Sequence, residues 1–105
     1  MTQKNDVTIY PNIGSDIRYE LAFVDDDDQP IDMTGHTIEI FQAEAWGASN
    51  GTVDWTDQAQ GIALLSADWD DTPAAMPEET WFRIRTTRTS DNLDDAAPKL
   101  IVRWL

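Results

Sequence analysis

Four stretches of this chain alternate apolar and polar side chains with a period of two, and that rhythm restricts the fold more than any other property of the sequence. From Asp16 to Val24, Ile17, Tyr19, Leu21 and Phe23 hold one parity, with Arg18, Glu20 and Ala22 on the other, as in a strand with one buried face. Thr37 to Phe41 puts Ile38 and Ile40 on one face. Thr80 to Thr87 sets Phe82, Ile84 and Thr86 against Trp81, Arg83, Arg85 and Thr87. At the end, Leu100, Val102 and Trp104 alternate with Ile101, Arg103 and Leu105. Trp104 follows the inward parity, so core packing is expected of it. The chain stops inside this last run, and its C-terminus is expected to be paired in a sheet. Val7 to Pro11 reads as an edge strand closed by Pro11 and the Asn12-Ile13-Gly14-Ser15 turn, and Ile62 to Leu65 as a compact apolar strand after Gly61.

The connections carry turn chemistry. In Asp25 to Pro30 the strand propensity collapses, and short carboxylates can bond neighbouring amides, so a reversal is expected there. Residues 45 to 61 hold three of the five glycines, with Asn50-Gly51 ahead of Val53-Asp54-Trp55. This predicts a loop or short hairpin. Ser66 stands as an N-cap before Asp68, Asp70 and Asp71, so one helical turn is expected there, kept short by Pro73 and Pro77. Ser90 to Pro98 reads as a polar, acidic loop. About seven short strands spaced by turns predict an all-β fold, an immunoglobulin-like antiparallel β-sandwich, with residues 1–105 as one domain. A small OB-type barrel is the alternative.

With 20 Asp+Glu against 7 Lys+Arg, the net charge is 7 − 20 = −13, which repels phosphate backbones and anionic lipid, so neither nucleic acid nor membrane is expected as a partner. The charge is uneven. Residues 1 to 80 carry two bases and 17 acids, and residues 81 to 105 carry five bases and three acids. Trp81, Arg83 and Arg85 on one strand face, with Arg103 nearby, form a candidate protein interface, a cationic stripe on an anionic body. The chain has no cysteine, which excludes thiolate chemistry and disulfides. The N-terminus lacks an apolar signal core, and no run approaches a membrane span.

Chemistry finds little support. His36 is the single histidine, no nucleophile elbow accompanies it, and P-loop, dinucleotide and zincin motifs are missing, so the reading is non-enzymatic and without cofactor. Asp25, Asp27 and Asp32 are the residues that would hold a calcium ion if one bound. A solvated acidic turn accounts for the same composition, and no metal is expected. The five tryptophans include Trp46, Trp55 and Trp69 in Gly- or Asp-rich segments, where an indole can serve as a sugar platform or an interface anchor.

The segment from Ile13 to Phe41 (IGSDIRYELAFVDDDDQPIDMTGHTIEIF) resembles a pattern in tailed-phage virion proteins, the N-terminal module of baseplate upper proteins and related small virion β-sandwiches. Asp25 to Asp28, Pro30, Ile31, Asp32, Met33, Thr34 and Gly35 carry it, and Gly61 to Leu65 and Thr80 to Ile84 are similar in layout to that family's second half. The resemblance implies a bacteriophage virion structural protein, foremost a capsid decoration or cement protein docking in many copies on the major capsid protein, located in the virion and, during assembly, in the host cytoplasm. A tail or baseplate adaptor is the near variant. Two other classes stay open. One is a calcium-dependent sugar-binding module using Trp46, Trp55 or Trp69. The other is an acidic DNA-mimic inhibitor.

Overall fold

The computed structural model describes residues 7–70, 77–96 and 99–105. Among them are eight strands, the four alternating runs included: β1 (Val7–Ile9), β2 (Ile17–Ala22), β3 (His36–Ala43), β4 (Gly51–Asp57), β5 (Ile62–Ala67), β6 (Glu79–Arg88), β7 (Leu93–Ala96) and β8 (Leu100–Arg103), with one short helix, α1 (Ala45–Asn50). They make two sheets, one in the order β1-β8-β6-β3 with β7 also on β6, the other β2-β5-β4. The fold is the all-β sandwich expected. Every pairing between these strands is antiparallel except that of β1, which runs parallel to β8.

β6 is the spine of the larger sheet. Its first half pairs β8 (Glu79↔Arg103 to Phe82↔Leu100) and its second half pairs β7 (Arg85↔Ala96 to Arg88↔Leu93), both along one edge, while β3 takes the other edge. The alternation read from the sequence decides what faces inward. Thr80, Phe82, Ile84 and Thr86 are buried along β6. They meet Leu100 and Val102 of β8 and, across the sandwich, Ile17 and Leu21 of β2 and Ala63, Leu65 and Ala67 of β5. The acidic reversal closes as expected. Val24 bridges Pro30, and the Asp25 carboxylate accepts hydrogen bonds from the Asp27 and Gln29 amides.

Three local expectations are corrected. Residues 45 to 57 form α1 running into β4 rather than a hairpin. Gly51 has φ −82°, ordinary for any residue, so its role is spatial and not conformational: a Cβ there would lie 2.6 Å from Phe82 Cε1. Ser66 lies inside β5, opposite Thr52 and Arg18, so it caps no helix. Part of the helical turn expected after it falls at residues 71 to 76, outside the described residues. Leu93–Ala96 is a strand rather than loop, although every residue in it is exposed. It owes its place to backbone pairing with β6, an interaction that leaves no period in the sequence.

Candidate functional site

The outer face of the larger sheet gathers all four residues of the expected interface. Trp81, Arg83 and Arg85 alternate outward along β6, and Arg103 stands on β8 opposite Glu79. The electrostatics differ from the expectation. Arg85 pairs with Glu39 and with Asp94 (3.7 Å), and Arg103 pairs with Glu79 (2.7 Å). The Glu39 hydrogen bond raises the Arg85 pKa. A bulge between Ile40 and Gln42 turns Phe41 outward, where Arg83 and Arg85 both lie over its ring. Lys99 Nζ covers Trp81, 4.5 Å from the ring centroid. The stripe is therefore a mixed, largely self-neutralised surface. Glu39 and Glu79 from the acidic part of the chain, with Asp94 from the basic part, fold onto it, pairings that a linear reading does not show.

Asp25, Asp27 and Asp32 do not assemble a cation site. Asp25 Oδ1 is engaged by two backbone amides, and Asp32 Oδ1 accepts from the Thr34 amide (2.9 Å). Among the described residues no three acidic or histidine groups come together as metal ligands. Hydrogen bonds from Thr34 hold the Asp32 carboxyl below its ordinary range, and the Arg88 side chain does the same for Asp91. A carboxylate whose folded pKa is depressed adds stability above its unfolded pKa and loses it as pH falls through the folded value. Asp32→Asn, which keeps an oxygen acceptor but cannot titrate, is thus expected to lose less stability than the parent between pH 5 and 2, as read by urea unfolding midpoints.

Of the three proposed sugar platforms, two are committed elsewhere. Trp46 is buried at the start of α1. Trp55 packs on Phe23 at 5.5 Å and donates its Nε1–H to the His36 carbonyl (3.1 Å). Trp69 is different. Just beyond β5, its backbone N–H donates to Asp16 Oδ1 at 2.7 Å, which ties it to the lead-in of the neighbouring β2. Its ring meets Trp104 at 5.0 Å and 82°. Together they line a cleft of about 680 Å³ with Ile13, Pro77, Glu78, Glu79 and Arg103. Trp104 corrects the expectation of a purely core residue. It packs against Trp46 at 6.3 Å, so it links the core to the cleft.

Beneath this cleft lies unmet hydrogen-bonding capacity. Thr80 Oγ1, Trp46 Nε1 and Trp104 Nε1 are buried without a partner. The register places them at one end of the sandwich, because Ala43 opposes Phe82 and the Glu44 amide reaches the Trp81 carbonyl. A second groove, between the edges of β3 and β4, has about 460 Å³, but its aromatic residue, Phe41, already carries two guanidinium groups. Sequence reading named Trp69 but not the cleft. The partner ring lies 35 residues away, and Glu78 and Glu79 come from the run before β6 and its first residue.

No protein-family model matches the chain, and no curated protein matches it. Among solved structures it is similar to the sialic acid-binding region of a Streptococcus sanguinis SK1 adhesin bound to 3′sLn, with a TM-score of 0.51 and 15% sequence identity over 96% of this chain. The chain spans 27% of the length of that solved chain. This likeness bears out the sandwich. It also overturns the virion decoration reading, since the matching fold is that of a sugar-binding region of an adhesin and not of a capsid or tail module.

Proposed function

We propose that this chain is a glycan-binding module whose site is the cleft between Trp69 and Trp104. The observation that carries the reading is the pair of indoles meeting at a right angle in an open cleft walled by two carboxylates and a guanidinium. Aromatic faces take the C–H-rich face of a sugar ring, and charged groups at the rim bond its hydroxyls directionally, the usual division of labour in a small-molecule site. The shared fold with a sialic acid-binding region supports it. The module acts by binding alone and turns nothing over.

The binding is independent of calcium in this reading. Ala22 pairs with Ile62 and Ile17 with Ala67, so the acidic turn after β2 and Trp69 after β5 lie at opposite ends of the smaller sheet. Five residue steps of β5 separate them, roughly 17 Å of strand. On a glycan array the purified chain is expected to bind a restricted set of sugars, unchanged by EDTA. Trp69→Ala is expected to abolish the signal while leaving the unfolding midpoint within a few degrees of the parent. Binding retained by Trp69→Ala, or no binding to any sugar, would overturn the assignment.

A further inference from the structure

We propose that the cleft selects uncharged glycans and rejects sialylated ones, an inference that rests on the glycan-binding reading and narrows its ligand class. The groups that could meet a ligand there are Glu78, Glu79 and Arg103, two carboxylates against one guanidinium. That guanidinium is not available as a free counter-charge, because its Nε is held by Glu79 Oε2 at 2.7 Å. A sugar carboxylate entering the cleft could reach the Arg103 Nη groups, but it would share a guanidinium already paired to Glu79 and lie close to two like charges, Glu78 and Glu79. That repulsion is a cost a neutral sugar does not meet.

The field of the whole molecule acts in the same direction. The chain carries −13 overall, and at about 0.1 M salt charges within roughly 10 Å of the site are felt there. Among the described residues up to Asp70 the one Lys or Arg, Arg18, is itself paired to Asp68 at 2.7 Å, next to Trp69. Carboxylates suit the other class of ligand. They accept hydrogen bonds from sugar hydroxyls, and the Nη groups of Arg103, fixed in orientation by Glu79, can donate to hydroxyl or ring oxygens without a net charge on the ligand.

The similar adhesin region binds an anionic sugar, so the two proteins are expected to share the sandwich and differ in ligand charge. Matched pairs test this directly. Each neutral glycan is arrayed beside the same glycan capped with sialic acid, N-acetyllactosamine and 3′-sialyl-N-acetyllactosamine among them, and binding to the intact chain is measured at low and high salt. A like charge brought to within one or two hydrogen-bond lengths of an unpaired carboxylate near the surface is expected to weaken binding about fivefold or more, and the gap should narrow in high salt. Glu79→Gln, which frees Arg103, should raise binding of the sialylated member relative to the neutral one. Sialylated glycans bound as well as or better than their neutral partners would overturn the selectivity and leave the glycan site standing. Silence from both members of every pair would overturn the site itself.

Discussion

Phe82→Ala is expected to remove most of the stability of this fold, with a loss of about 3–5 kcal/mol. Phe82 is fully buried in the middle of the larger sheet. Its ring also fills the space beneath α1, where it lies against both Gly47 and Gly51. Truncation removes the apolar transfer energy and leaves a cavity that two rigid sheets cannot close. At roughly 4–8 °C per kcal/mol for a domain of this size, the thermal midpoint should drop by roughly 15 °C or more. Near-parent melting would mean that α1 and the sheets can collapse into the space, and that the packing of α1 on β6 is loose.

Gly51→Ala is expected to be destabilising by about 1–3 kcal/mol, the cost of forcing one extra methyl group into a filled site. The added Cβ would lie 2.6 Å from Phe82 Cε1 and 2.8 Å from the Gly47 carbonyl oxygen. Phe82→Leu removes the first clash and not the second. The double variant should therefore be more stable than the sum of the two single losses predicts, yet still below Phe82→Leu alone. Additive losses in urea titrations would show that the ring is not what excludes the methyl group. The same close approach explains why Asn50-Gly51, a hairpin signal in sequence, serves here as a helix-to-strand junction. The glycine is required for space, and φ never enters the left-handed region.

The proposed glycan site depends on this scaffold at one remove. Trp104 rests on Trp46 at the start of α1, and Trp69 is tied to Asp16 across the ends of β2 and β5. A site built this way holds its indoles with the rigidity of the sheets, which limits the ordering entropy that binding must overcome. Along the stripe that continues from Arg103, Arg85 is paired to Glu39 and Asp94, Arg83 lies over the Phe41 ring, and Trp81 is covered by Lys99. For that reason we propose the aromatic cleft, and not the arginine stripe, as the ligand site.

Much of the sandwich was legible because burial of one sheet face imposes a period of two. Ile17, Leu21 and Phe23, then Phe82, Ile84 and Leu100 with Val102, could be assigned to the core from parity alone, and each is buried. Elements held by backbone pairing or by contact with distant side chains left no such mark. β7 has no apolar face to signal it, and α1 packs where it does because Trp46 is buried and Gly47 and Gly51 leave room for Phe82, 35 and 31 residues further along the chain. The resemblance to virion modules rested on a turn, its flanking strands and the layout of the later runs at Gly61 to Leu65 and Thr80 to Ile84, features any sandwich of this shape can reuse, so it could not specify a partner.

Alternation along single strands thus settled the fold class, the inward residues and the outward setting of Trp81, Arg83 and Arg85, since a strand's two faces are fixed by local geometry. Which outward residues meet was left to the tertiary structure. It carried Glu39, Asp94 and Glu79 to the arginines and brought Trp69 beside Trp104, because ion pairs and clefts form between strands whose register no single strand encodes.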